Sequence, residues 1–223
     1  MSLAQRQLPS HRDEYRFGRG PRPALQPGTM GWSVEDLNDP QIRSLWDEGR
    51  YEIIDGVLTV MPPAYFRGGK VVDNLKFLLR SHFAAQNIRA LFSGEVDIAV
   101  EPPLVVRADG VVVLGEELPK FEALRFDDPE TTWEDHPLTL PPTIVIESVS
   151  RGHEVHDRTK KRLWYAKFKI PNYWIVSGTG RTLQCLRLSG DRYEVDVFGK
   201  DDECIEPRAF PGLKIPLGQV WEP

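Results

Sequence analysis

The spacing of apolar residues along the chain predicts both helices and strands. In GGKVVDNLKFLLRSHFAAQ (residues 68–86) the apolar residues recur at helical spacing and form one apolar face: Val71, Val72, Leu75, Leu78, Leu79 and Phe83. In YEIIDGVLTV (residues 51–60) two short strands are joined by Asp55–Gly56, a dipeptide well suited to a tight hairpin turn. The β-rich runs RALF, EVDIAVE and LVVRADGVVVL follow. We therefore expect a helix packed on a sheet.

The second half of the chain continues this pattern around one central strand. TIVIESV (residues 143–149) is a continuous apolar run, typical of a strand covered on both faces, and we expect it beside the strand that carries Asp109. HDRTKKRLWYAKFK (residues 156–169) predicts a helix whose inner face includes Lys161. NYWIVS, RTLQCLRL and RYEVDVF predict antiparallel strands. The predicted fold is α/β, a mixed β-sheet flanked by helices with antiparallel C-terminal strands.

Length and local composition favour one folded domain preceded by an arm. A chain of 223 residues with 40% hydrophobic content can form one sizeable core. Residues 1–30 contain five arginines, four prolines and two acids without apolar periodicity, which predicts a flexible basic arm. Residues 31–223 are predicted to form a single domain. The acidic stretch 115–140 is expected to leave it as a solvated excursion.

Charge and hydropathy limit the possible partners. The net charge of −5 and the mean hydropathy of −0.38 indicate a soluble acidic protein, whose overall field repels nucleic acids. Residues 151–192 nevertheless hold ten lysines or arginines against three acids, which is either a phosphate-binding patch or a solvated surface. No apolar stretch approaches the ~20 residues of a membrane helix, and the N-terminus lacks the apolar core of a signal peptide. We expect a cytoplasmic protein with no membrane contact.

Two carboxylates within apolar strands are the strongest candidates for chemistry. Asp109 lies in RADGVVVL and Glu147 in TIVIESVS. A buried carboxylate costs several kcal/mol unless it is paired or binds a cation. If the two strands are neighbours, both acids can bind one Mg²⁺, with Lys161 beside them and Glu52 as a further oxygen ligand.

Structural explanations compete at each of these positions. Glu147 and Lys161 could form a buried ion pair without catalysis. Asp109, which precedes Gly110, could mark a bulge or turn, and Glu52 could face solvent in an edge hairpin. Other catalytic templates are absent from the sequence, which has no Walker loop, no GxSxG and no HExxH.

The order of these motifs resembles the "putative restriction endonuclease" family of PD-(D/E)XK nuclease-like fold, which is abundant in cyanobacteria. The resemblance runs from about residue 30 to the C-terminus. Its carriers are YEIIDG, a Gly-rich helix start leading to NL, the Asp109 strand, IVIESVS, DRTKKRLWYA, IPNYWIV and PGLKIPL. The block from Glu147 through Tyr173 and Trp174 is the most specific, because its residues follow the order and spacing of the family.

The resemblance implies a site in which acids bind a divalent metal ion and a lysine follows on a helix. Carried over residue by residue, it implies Asp109, Glu147 and Glu52 as metal ligands and Lys161 as the catalytic lysine. The chain departs from the pattern in two places. Ala108 and Gly110 flank the aspartate, where the family has proline and an apolar residue, and Val149 stands where the Glu-x-Lys pattern of the fold has its lysine.

The function expected from these observations is hydrolysis of DNA phosphodiester bonds with Mg²⁺ or Mn²⁺. By analogy we expect a homodimer, because two strands need two cuts. Arg158, Lys160 and Arg162 are the candidate nucleic-acid contacts. Two alternatives stay open: a catalytically silent module that binds nucleic acid or a protein partner, and a metal-dependent hydrolase of a smaller phosphoester. The two departures favour the silent module, whereas the retained acids and lysine favour catalysis.

Overall fold

The computed structural model describes residues 25–61, 66–101, 104–125, 132–149 and 156–222, and these form an α/β fold. The helices are α1 (Pro40–Glu48), α2 (Phe66–Ala85), α3 (Leu118–Glu122), α4 (Arg162–Lys167) and α5 (Leu217–Trp221). The strands are β1 (Tyr51–Ile54), β2 (Val57–Val60), β3 (Ala90–Glu101), β4 (Leu104–Leu114), β5 (Ile144–Ser148), β6 (Asn172–Ser177), β7 (Thr182–Ser189), β8 (Arg192–Lys200), β9 (Cys204–Ile205) and β10 (Ile215–Pro216). Most of the arm predicted over residues 1–30 lies outside the described residues.

The described residues divide into two compact units, and the first is built around the predicted hairpin. It comprises residues 25–61, 101 and 104–106. Asp55 and Gly56 join β1 to β2 with φ angles of 51° and 77°, the left-handed pair that a tight two-residue hairpin turn requires. The hairpin prediction is therefore confirmed. Within this unit β1 also pairs with the start of β4, where Ile53 lies opposite Val105.

The second unit contains a mostly antiparallel sheet in which β5 is the central strand. It comprises residues 66–100, 107–125, 132–149 and 156–222. β3 pairs with β4, and the sheet continues in the order β4, β5, β6, β7 and β8. β5 is antiparallel to β4 and parallel to β6, and the remaining pairs of β6, β7 and β8 are antiparallel. The structure thus confirms that the TIVIESV strand lies beside the strand that carries Asp109. RALF and EVDIAVE form one long strand rather than two.

Helix α2 covers one face of this sheet with the apolar side chains that its sequence spacing predicts. Val71, Val72, Leu75, Leu79 and Phe83 are all buried there. They pack in one cluster with inward residues of the central strands: Val112, Leu114, Ile144, Ile146, Trp174 and Val176. Because strand side chains alternate, this packing leaves the odd-numbered residues of β4 and β5 for the opposite face of the sheet.

Gly110 lets α2 approach the sheet closely. A Cβ atom at this position would lie 2.9 Å from Cγ1 of Val72 and 3.4 Å from Cβ of Ile146. The glycine that departs from the family pattern therefore has a packing reason, since a larger residue would push α2 away from β4 and β5.

The opposite face is covered by the segment that the sequence predicts as one helix over residues 156–169. The structure differs at its start, because His156–Lys161 form a π-helical turn and α4 follows from Arg162. Tyr165 is fully buried, and its ring lies 5.1 Å from that of Tyr173, which in turn lies 5.7 Å from that of Tyr193. This row of tyrosines joins α4 to β6 and β8.

The acidic stretch 115–140 is partly packed against the fold. Leu118 and Phe121 of α3 are buried, and the ring of Phe121 lies 5.1 Å from that of Trp133 in a short 3₁₀ turn. Residues 126–131 lie outside the described residues. In the part of the chain that is described, no helix is long and apolar enough to cross a membrane.

Candidate active site

Asp109 and Glu147 lie on adjacent strands of the second unit, β4 and β5. Val111 pairs with Val145 in the antiparallel register of these strands. Asp109 lies two residues before Val111, and Glu147 lies two residues after Val145, so the same register places the two acids opposite each other. Because successive side chains alternate, the Cα–Cβ bonds of both acids leave the sheet on the face that α2 does not cover.

The carboxylate of Asp109 is held by the residue that follows Glu147. Regular pairing of β4 with β5 ends at Gly110 and Ile146, and beyond it the backbone N–H of Ser148 donates to Oδ2 of Asp109 over 2.7 Å. The hydroxyl of Ser148 donates to the same oxygen, also over 2.7 Å. Oδ1 of Asp109 accepts no hydrogen bond from any described residue.

The carboxylate of Glu147 is held in a similar way, but by side chains of the covering segment. Nζ of Lys161 lies 2.9 Å from Oε1 of Glu147, and the hydroxyl of Tyr165 donates to the same oxygen over 2.6 Å. Nζ of Lys161 also donates to the backbone oxygen of Arg107 over 2.9 Å, which ties the lysine to β4. Glu147 is 2% exposed and Lys161 is 3% exposed, so their charges interact where water screens them little.

A second buried ion pair joins β3 to β4. Arg107 donates from Nε to Oδ1 of Asp97 over 2.7 Å and from Nη2 to Oδ2 over 3.0 Å. Such a two-bond contact fixes both the angle and the distance between β3 and β4. It thereby fixes the backbone oxygen of Arg107 to which Lys161 donates.

The remaining predicted site residues are placed as follows. Glu52 is buried on β1 in the first unit, opposite Thr59, so its role as a metal ligand stays a prediction. Lys160 is exposed. The guanidinium of Arg162 is half-buried and donates to the backbone oxygen of Tyr193. The side chain of Arg158 lies outside the described residues.

The chemistry of the donor set fits one hard divalent ion. Mg²⁺ and Mn²⁺ favour carboxylate oxygens, and Mg²⁺ is often bound by only one or two carboxylates together with waters and substrate phosphate oxygens. Asp109 and Glu147 supply two carboxylates from adjacent strands. Within the described ranges no three acids, histidines or cysteines form a group that could hold a metal ion.

Sequence reasoning missed Ser148 and Tyr165, the two hydroxyl residues that touch the acids. Ser148 is the direct neighbour of Glu147 in the sequence. Tyr165 comes four residues after Lys161, and this spacing puts Lys161 and Tyr165 on one side of a helix. The spacing of Lys161 and Tyr165 was a usable signal. The position of Ser148 next to Glu147 was not, because the hydroxyl of Ser148 donates to Asp109 on another strand.

The mixed α/β architecture, with a mostly antiparallel sheet flanked by helices, is that of the restriction-endonuclease-like class of nuclease folds. The chain belongs to the Uma2 family, described as "Putative restriction endonuclease", whose family model matches residues 40–218. The resemblance and the fold predicted from the sequence are thereby confirmed.

A solved structure supports the same fold. The chain is similar to a protein from Anabaena variabilis ATCC 29413, described as a "putative nuclease belonging to DUF820", with a TM-score of 0.58 and 17% sequence identity. The match covers 78% of this chain and 90% of that chain. A search of curated proteins gave no significant match.

Proposed function

We propose that the chain hydrolyses DNA phosphodiester bonds with Mg²⁺ or Mn²⁺ held by Asp109 and Glu147. The observation that carries this proposal is the buried contact between Lys161 and Glu147, on the strand next to Asp109, whose Oδ1 accepts no hydrogen bond from the described residues. A purely structural ion pair would have no need of a second acid on the same face.

Each residue has a distinct task in the proposed reaction. Oδ1 of Asp109 and the carboxylate of Glu147 would bind the ion, which when bound lowers the pKa of a water and offsets charge on the phosphodiester. The Lys161 ammonium adds a positive charge beside the acids, where it would stabilise negative charge that develops on phosphate oxygens. Burial strengthens this effect, because little water lies between the charges.

The silent binding module is the second candidate, and one observation favours it. Glu147 already accepts hydrogen bonds from Lys161 and Tyr165, so its charge is compensated without a metal ion. A chain that had lost catalysis could keep this ion pair to hold the covering segment on the sheet.

Nicking of supercoiled plasmid separates the two candidates. We expect the wild type to nick with Mg²⁺ or Mn²⁺ and to stop when EDTA is added. Glu147→Gln and Lys161→Met, which remove charge at similar side-chain size, should lower the rate at least 100-fold. Lys214→Met and Asp191→Asn change exposed charges elsewhere and are the matched controls.

The possible results of this assay have different meanings. DNA binding without cutting by the wild type selects the silent module. Cutting that survives both Glu147→Gln and Lys161→Met rejects the proposed site. Cleavage of bis(p-nitrophenyl) phosphate but not of plasmid selects a hydrolase of smaller phosphoesters.

The homodimer also stays a prediction, since it rests on the need to cut two strands. Light scattering of the purified chain measures it directly. A mass near 25.4 kDa would contradict it.

A further inference from the structure

In each acid of the candidate site, two donors converge on one carboxylate oxygen. Ser148 directs its N–H and its hydroxyl to Oδ2 of Asp109. Lys161 and Tyr165 direct their donors to Oε1 of Glu147. Two donors that converge on one oxygen restrict rotation of a carboxylate more than one donor does, so each acid keeps a fixed orientation.

The position of Ser148 is itself controlled by helix α2. A Cβ atom added at Gly68 would lie 2.7 Å from the Ser148 hydroxyl oxygen, closer than atoms of this kind can pack. Only a glycine in the first turn of α2 leaves room for the hydroxyl that reaches Asp109. The next residue, Gly69, has nothing within 4 Å of the same added atom.

The position of Tyr165 is controlled by its aromatic neighbours. The residue is fully buried, and its ring meets that of Tyr173 in an edge-to-face arrangement with centroids 5.1 Å apart. The ring therefore cannot swing away, and its hydroxyl stays on Glu147.

We infer that Ser148 and Tyr165 are positioning residues, which hold the carboxylates of Asp109 and Glu147 in the orientation that binds the divalent ion. The inference rests on the proposed function. It extends that function, since neither residue is a ligand in it. Groups that orient metal ligands typically change metal affinity 10–100-fold when they are lost.

Calorimetric titration of the full chain with Mn²⁺ tests this inference without an activity measurement. We expect Ser148→Ala and Tyr165→Phe each to weaken Mn²⁺ binding about tenfold or more. Ser177→Ala and Tyr193→Phe are matched controls that remove hydroxyls bonded only to backbone groups, the N–H of Gly180 and the oxygen of Ile170. They should bind like the wild type.

A second pair of variants keeps the hydroxyls of Ser148 and Tyr165 and tests the placement of the Ser148 hydroxyl alone. Gly68→Ala should displace the Ser148 hydroxyl and weaken Mn²⁺ binding, whereas Gly69→Ala should not. Both changes put alanine into the same helix, so any general effect on helix stability is shared.

Each result has one meaning. Wild-type affinity in Ser148→Ala, Tyr165→Phe and Gly68→Ala overturns the inference and leaves the proposed function intact. Absence of Mn²⁺ binding by the wild type overturns the proposed function, and the inference with it. Thermal unfolding of every variant identifies one that has lost its fold. If Ser148→Ala has lost its fold, the Gly68 and Gly69 pair decides for Ser148, and if Tyr165→Phe has lost its fold, the result at Ser148 decides the inference.

Discussion

Nζ of Lys161 lies 2.9 Å from Oε1 of Glu147, and both side chains are almost completely buried. Two charges removed from water in this way depend on each other, because either one alone would be left uncompensated in a medium of low dielectric constant. This dependence can be measured separately from catalysis.

Lys161→Met should lower the free energy of unfolding by about 3–5 kcal/mol, since it leaves the Glu147 carboxylate buried without its cation. Adding Glu147→Gln should restore much of the loss, because no buried charge remains. Urea unfolding of the two single variants and the double variant measures this coupling. Purely additive effects would contradict the idea that the two charges compensate each other.

Gly110→Ala should destabilise the protein by about 1–3 kcal/mol, because the new methyl group meets Cγ1 of Val72 at 2.9 Å. The cost should shrink in a Val72→Ala background, where the clash is gone. Thermal or urea unfolding in both backgrounds measures the difference. An equal cost in the two backgrounds would mean that close packing of α2 is not the reason for the glycine.

Lys160→Ala should weaken DNA binding while leaving stability unchanged, because Lys160 is exposed beside the buried Lys161. If it contacts one phosphate, the slope of log K against log salt concentration should fall by about 1. Fluorescence anisotropy at several salt concentrations measures the slope. Lys214→Ala is the control, and an equal change in both variants would rule out a specific contact.

Cys204 should react with a thiol reagent in the native protein, and Cys185 should not. Burial raises the pKa of the Cys185 thiol well above its usual value, and the negative charge of Asp196 raises it further. Cys204 is exposed. Titration with Ellman's reagent should give one thiol per native chain and two after unfolding. Two fast thiols in the native state would contradict the buried position of Cys185.

The parts of the fold that local patterns determine could be predicted from the sequence. The turn at Asp55 and Gly56 followed from the left-handed conformation that this dipeptide tolerates. The central position of β5 followed from its unbroken apolar run, and the packing face of α2 followed from helical spacing. These features depend on neighbours along the chain, so the sequence displays them directly.

Features that depend on long-range packing could not be predicted. The π-helical turn over His156–Lys161 has no sequence signature, and it shortens the predicted helix. Gly110 looked like a weakness in the strand, although its absent side chain makes room for Val72. The contact of Ser148 with Asp109 joins residues 39 positions apart, beyond the reach of any spacing rule.

The candidate site was predicted in part. Asp109, Glu147 and Lys161 were selected because charged groups stood within apolar patterns. In the second unit Lys161 contacts Glu147, and Asp109 lies on the strand next to Glu147. Their catalytic role stays a prediction. Glu52 was selected as a further oxygen ligand on the first predicted strand, and it belongs to the first unit.

The parallel pairing of β5 with β6 has a consequence for how such a site can evolve. Two parallel neighbours cannot be joined by a short turn, so the chain between them must travel back along the sheet, and here it includes the π-helical turn and α4. A lysine on that return path can take the place of a lysine on β5 without any change in the hydrogen bonds between strands. Inserting or deleting a single residue between His156 and Lys161 would turn the lysine toward another side of the helix, so the length of this turn should tolerate less variation than its sequence.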